Sequence, residues 1–277
     1  MRRATWLAAL RDELRRRGFG DDTVAQIVTE ADDHLLAAGR PPLEVFGPAD
    51  AYAAALSEGL AEVDPPARVA RAAPGPVLLD VQDVTKRYRR RTVLDGVGLT
   101  VRAGQVAAIV GANGSGKTTL LRICAGLLAP DRGTVAIRGT IGYCPQDGGT
   151  SDLLAADEHF VLIGAGRGMA RSDARDAGRA RAEALDWTPP WDEQARHLSG
   201  GTRQKLNVVM ADLGGPDVLL LDEPYQGFDR GSYVDFWREV WRWRDEGRAV
   251  VVVTHLLSEL DRVDVVVELG TSGERVA

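Results

Sequence analysis

The chain has 277 residues, 44% apolar and 27% charged, enough for one large globular domain with a normal core, alone or with a small module. A formal charge of -6 and a pI of about 5.4 argue against nucleic acid as the main partner. Two cysteines, Cys124 and Cys144, without CxxC spacing or a histidine cluster, exclude a disulfide framework and a cysteine metal site. No apolar run reaches the roughly eighteen residues of a membrane-spanning helix, and charges break the N-terminus too early for a secretory signal.

The first 62 or so residues read as short helices. Trp6, Leu7, Leu10 and Leu14 recur at helical spacing until Gly18 to Gly20 interrupts them. Asp21 and Asp22 can cap a second helix carrying Val24, Ile27, Val28, Ala31 and Leu35, which Gly39 and Pro41-Pro42 end. A third is expected from about Pro48 to Leu60. Three short helices bury little, so this module is expected to lean on something else. The aperiodic, Pro- and Ala-rich stretch from Asp64 to Pro76 reads as a linker.

Beyond it the pattern changes. VLLDVQDVTKRY and VLDGVGLTV alternate as half-buried strands do, with Asp95-Gly96 as a turn signal. QVAAIV (Gln105 to Val110), VLLLD (Val218 to Asp222) and AVVVVTH (Ala249 to His255) are continuous apolar strands separated by helical stretches. Such runs are buried on both faces of a parallel sheet, so the expectation is a single α/β domain around a largely parallel sheet.

GANGSGKT, Gly111 to Thr118, follows the first of these strands and opens a helix, the required setting for a G-x-x-x-x-G-K-[ST] phosphate loop. Gly111, Asn113, Gly114, Ser115 and Gly116 let the backbone turn its N–H groups toward phosphate oxygens, with Thr119 in the helix's first turn. Lys117 is expected to neutralise the β and γ phosphates, and the Thr118 hydroxyl to bind Mg²⁺. VLLLDEP ends a strand in two carboxylates: Asp222 is expected to hold the magnesium through water, and Glu223 to act as general base on the attacking water. LSGG, Leu198 to Gly201, is a second glycine-rich helix start.

With these three segments in this order, the chain from about residue 77 onward resembles the ATP-binding cassette (ABC) ATPases. The resemblance implies a P-loop NTPase fold with a mostly parallel core sheet, an antiparallel β subdomain and a helical subdomain at about 147–200. It implies that Tyr88 stacks on adenine, though an edge-strand tyrosine is the competing reading. It implies that Gln146 is the Q-loop glutamine touching Mg²⁺ and the attacking water. His255 matches the switch histidine that contacts the γ-phosphate, and Asp229 the D-loop aspartate. Ser199, Gly200 and Gly201 match the signature, which in the family closes over ATP held by a second cassette in a head-to-tail dimer. The implied cofactors are ATP and Mg²⁺. The implied partners are a second cassette, identical or not, and separately encoded transmembrane permease subunits, with the chain on the cytoplasmic face of the cell membrane.

Several departures shape the expectation. Thr202 stands where the family usually has Gln, so ATP closure is expected to be tuned and not abolished. Gln226, Gly227 and Phe228 replace the usual small residues before Asp229. The strand from VAIRG is expected to run almost straight into TIGYCPQ, leaving a trimmed antiparallel subdomain. The compact cassette lacks an importer's C-terminal regulatory domain, which favours export. A soluble cassette ATPase of translation or DNA repair is the alternative, but paired cassettes, coiled-coil insertions and zinc cysteines are not seen. Glu223 and His255 argue against a regulatory module that binds ATP without turnover. Residues 1–62 resemble the small helical HAAS-type domain of bacterial membrane and signalling proteins, joined by a linker at 63–76 to a cassette at 77–277.

Overall fold

A computed structural model describes residues 2–38, 41–54, 75–89, 91–225, 227–228, 230–254 and 262–270. The chain divides into two compact units, Met1–Asp64 and Pro65–Ala277.

In the first unit, α1 (Arg3–Arg16) buries Trp6, Leu10 and Leu14 against Val24, Ile27, Val28, Ala31 and Leu35 of α2 (Asp21–Ala38). The indole of Trp6 stacks on Phe46 at 5.3 Å between centroids, and its Nε1–H donates to Gly47 O at 2.8 Å. One short element was not anticipated: α3 (Pro42–Val45), a single turn in which the second proline of the helix-ending pair sits at the start of a new helix. Proline's fixed φ suits that position as well as it suits a stop. The third expected helix is present at residues 49–54 (α4), and its expected continuation to Leu60 lies outside the described residues, as does most of the expected linker.

The second unit is α/β, with two sheets. β1 (Val77–Tyr88) pairs antiparallel with β2 (Arg91–Arg102) and β4 (Arg132–Ile137). The other sheet is wholly parallel, in the order β5 (Ile141–Cys144), β6 (Val218–Asp222), β7 (Ala249–Val253), β3 (Gln105–Gly111), β8 (Val265–Leu269). Every residue of β6 and β7 is buried, which is why both are apolar runs, broken only by Asp222 at the end of β6.

Two local expectations fail. Asp95-Gly96 is not a turn but lies inside β2, which continues to Arg91. Between the pairs Val84–Val97 and Lys86–Leu94, β2 carries one residue more than β1. Gly96, at φ 63°, absorbs it as a bulge and donates its N–H to Thr85 Oγ1. Nor does the strand after VAIRG run straight through: the chain breaks at Arg138–Thr140 and changes sheets, β4 joining the antiparallel layer and β5 the edge of the parallel one.

Between β5 and β6 lie α6 (Ala156–Gly166), α7 (Arg171–Ala184) and α8 (Gly200–Asp212); α9 (Arg230–Asp245) connects β6 to β7. The far end of α8 is fixed by a buried carboxylate. Asp212 accepts from Arg181 Nε of α7 at 2.9 Å and from Arg248 Nη1 at the entry to β7, tying the helical layer to the sheet. A carboxylate this enclosed persists only because guanidinium groups replace its water.

Candidate active site

Four segments meet at the ends of the parallel strands. The loop after β3 leads into α5 (Lys117–Cys124). Gly111, at φ 145°, passes so close to β8 that a Cβ would lie 2.4 Å from Leu269 O. Gly116, at φ 105°, opens α5, and a Cβ there would press on Val93 and Leu94 of β2 at 2.8 Å. Neither position admits a side chain. Lys117 is buried, and its Nζ donates to Gly111 O at 2.7 Å and Ala112 O at 3.2 Å, curling over the loop that its charge would share with a phosphate. Ser115 Oγ is buried without a hydrogen-bond partner among the described residues. Asn113 and Gly114 are exposed, and Thr118 and Thr119 half-buried in the first turn.

Two strands away in the sheet, β6 delivers Asp222, which is fully buried. Neither of its carboxylate oxygens has a hydrogen-bond partner among the described residues. Burial pushes its pKa up to about 6; the nearby Thr118 hydroxyl works against that, without forming a well-aligned hydrogen bond, and the Glu223 carboxylate reinforces it. An enclosed, unpartnered carboxylate beside a hydroxyl is an oxygen donor set suited to a hard divalent cation, so the residues present fit Mg²⁺.

Glu223 follows in the left-handed region at φ 46°, with its N–H bonded to Val253 O at 3.2 Å. A non-glycine residue held there is a strained position of the kind that gathers at functional sites. Gln146, just past β5, donates Nε2 to Glu223 Oε2 at 3.3 Å across 77 residues of sequence. β7 brings Thr254 to the same edge, where its N–H bonds Ile109 O and its hydroxyl pairs with that of Tyr225. The expected residues His255 and Asp229 lie outside the described residues.

Tyr88 ends β1 with 47% of its surface open and Lys86 Nζ 5.9 Å from its ring centroid. Its pairing partner in β2, Arg91, donates Nη2 to Gly114 O at 3.1 Å, so the tip of this hairpin abuts the phosphate loop. Sequence reasoning did not single out Arg91; its position three residues beyond the aromatic was the available signal.

The signature segment has its own local geometry. Ser199 caps α8, its Oγ accepting from Thr202 N–H at 3.2 Å and lying 2.7 Å from Thr202 Oγ1. A Cβ on Gly201 would lie 2.2 Å from Gly227 O, so the helix start is pressed against the turn that follows Glu223. These contacts lead to Gly227 and Phe228 and not to the phosphate loop.

A phosphate loop between a buried parallel strand and a helix, beside a buried strand-end carboxylate, defines a P-loop nucleotide-binding domain. Comparison with known proteins narrows the class. Residues 94–226 match the model of the ABC transporter family. A Halobacterium salinarum protein named as an ABC transporter ATP-binding protein is 35% identical over 201 residues, 66% of this chain and 84% of that relative. The Nod factor export ATP-binding protein I of Ralstonia nicotianae is 30% identical over 198 residues, 67% of this chain and 62% of its own length. The human phospholipid-transporting ATPase ABCA7 is 34% identical over 223 residues, and the chain spans only 10% of it. The dimeric structure of a bacterial ABC transporter cassette superposes with a TM-score of 0.65 at 24% identity, covering 70% of this chain and 94% of that one. The chain belongs to the ABC transporter ATP-binding proteins, a family of ATPases.

Proposed function

We propose that this chain binds and hydrolyses ATP as the motor subunit of a transporter, with each ATP held between two cassettes. The observation that carries the reading is Asp222, a fully buried carboxylate whose two oxygens have no partner among the described residues, beside the helix that Lys117 opens. Lys117, with Gly111, Asn113, Gly114, Ser115, Gly116, Thr118 and Thr119, binds the phosphates, and Tyr88 offers its open face to the base. Thr118, Gln146 and Asp222 hold Mg²⁺, which neutralises charge on the phosphates when bound. Glu223 takes a proton from the attacking water while Gln146, already bonded to it, fixes the carboxylate's direction. His255 and Asp229 complete the set in the roles the family resemblance gives them. Catalysis of this kind is positioning plus charge stabilisation.

Ser199, Gly200 and Gly201 close over the ATP of a second cassette, where a helix N-terminus offers N–H donors and a favourable dipole to the γ-phosphate. The partners are separately encoded transmembrane permease subunits, with the chain peripheral on the cytoplasmic face. Export is the favoured direction, supported by the relative named for Nod factor export. The working organisation is a HAAS-like helical domain at 1–62, a linker at 63–76 and the cassette at 77–277, with a helical subdomain at about 147–200.

The test is Glu223→Gln, which keeps shape and removes the base. With Mg²⁺ and ATP it is expected to elute as a stable dimer by size exclusion with light scattering. Persistence as a monomer at saturating ATP would overturn the sandwich of two identical chains.

A further inference from the structure

The segment that carries Gln146 is held from behind by two amides of α8. Gln204 donates Nε2 to Pro145 O at 3.2 Å, and Asn207 donates Nδ2 to Gly148 O at 2.9 Å. The two amides are joined, since Asn207 Nδ2 also donates to Gln204 Oε1 at 3.1 Å. The carbonyls so gripped flank the segment of Gln146, whose amide donates to Glu223. Both amide side chains are buried, Gln204 at 5% and Asn207 at 2% exposure. On the loop side, a Cβ at Gly149 would sit 2.5 Å from Asn207 Oδ1. Behind the loop lies a cavity of about 170 Å³ lined by Pro145, Gly149, Ile163, Asn207 and Met210 among others. Packing alone therefore does not fill the space under the loop, and the amide pair sets its height.

We infer that Asn207, acting with Gln204, is a positioning residue for the hydrolytic step: it fixes the backbone on both sides of Gln146 and thereby aims the Gln146 amide at Glu223. The inference rests on the role given to Gln146 above. Replacing Asn207 with Ala removes both Nδ2 donors, leaving Gly148 O and Gln204 Oε1 without them. The loop is then free to settle toward the cavity. A displacement of about 1 Å at a catalytic group costs up to about a hundredfold in rate, so a loss of kcat of at least about tenfold is expected. Affinity for ATP measured without Mg²⁺, set by the phosphate loop and Tyr88, should remain within about threefold, since Gln146 meets the nucleotide only through the metal and the attacking water.

A double-mutant cycle separates positioning from general damage. ATPase rates and Tm are measured for wild type, Asn207→Ala, Gln146→Ala and the double variant. If Asn207 acts through Gln146, its substitution has no further effect on kcat once Gln146 is Ala. Additive losses in kcat would overturn the inference while leaving the site reading intact, whereas a Gln146→Ala variant of full activity would overturn the site reading itself. A readout independent of turnover is the Gln146 side-chain amide resonance in ¹⁵N spectra, identified by its loss in Gln146→Ala. It should move in Asn207→Ala, and an unmoved signal counts against the inference. Should Asn207→Ala fail to fold, Asn207→Asp keeps the shape but replaces the donating nitrogen with an oxygen, and should give the same split of lowered kcat with unchanged affinity for metal-free ATP.

Discussion

Enclosing Asp222 has a cost that can be measured in the nucleotide-free protein. Burial raises its pKa from 3.8 to about 6. At about 1.4 kcal/mol for each tenfold change in proton affinity, that step is worth about 3 kcal/mol. The sign follows from proton binding: between roughly pH 4 and pH 6 the folded chain keeps a proton that the unfolded chain has lost, so this group lowers stability as pH rises through the window, with no further change above it. Asp222→Asn cannot ionise and removes this contribution while leaving every other titrating group in place. Urea unfolding, followed by tryptophan fluorescence from pH 4.5 to 8 without nucleotide or Mg²⁺, gives the difference in unfolding free energy between variant and wild type. That difference should shift in the variant's favour by about 2 kcal/mol or more across the range, most of it below pH 6.5. Any constant offset from the amide's own hydrogen bonding drops out, because only the pH dependence is read. A flat difference would refute the view of Asp222 as a buried, unpartnered carboxylate. Mg²⁺ with a non-hydrolysable ATP analogue should stabilise wild type at pH 8 more than the variant.

Two further predictions bear on the loop and the helical layer. Lys117→Ala removes the only side-chain ammonium hydrogen-bonded to the loop carbonyls among the described residues, and losing a charge-assisted bond to phosphate should weaken ATP binding by about tenfold to a hundredfold in calorimetry; unchanged affinity would sink the phosphate-loop assignment. His159 is buried in α6, with Nδ1–H donating to Ala155 O at 2.8 Å and Nε2 accepting from Ser151 N–H at 2.9 Å, so it holds the neutral form and burial lowers its pKa below 6.5. Its contribution to stability is complete above pH 6.5 and is lost as pH falls through the lowered value; the gap in Tm between wild type and His159→Gln should therefore narrow from pH 7.5 to pH 5.5, and a constant gap would refute it.

What could be read from the sequence depended on how local each device is. The phosphate loop is contiguous, and its glycines are required by contacts with residues close in space but fixed by the fold, so its pattern survives in the one-dimensional text. The β6 and β7 strands were legible because burial on both faces leaves only Val, Leu and Ala up to the Asp222 that ends β6. Asp95-Gly96 misled because the same dipeptide suits a turn and a bulge, and only strand register distinguishes them. Gln204 and Asn207 carried no signal at all. On a helix buried from Gln204 to Asp212 on every side, two polar residues look like interruptions of a core until their partners at 145 and 148 are known.

The signature shows the same lesson in reverse, since its departure from the family pattern has a local explanation. Thr202 satisfies Ser199 twice over: its N–H donates to Ser199 Oγ, and its hydroxyl lies 2.7 Å from the same atom. With the threonine hydroxyl as donor, both lone pairs of Ser199 Oγ are taken and its own proton is left to point away from the helix. A glutamine at 202 would keep the N–H contact but has no hydroxyl on its Cβ to complete this arrangement. Gly201 is meanwhile held against Gly227, four residues past Glu223, so the helix start that carries Ser199 abuts the turn after β6. A substitution at 202 therefore acts on the Ser199 cap and the start of α8, away from the phosphate loop.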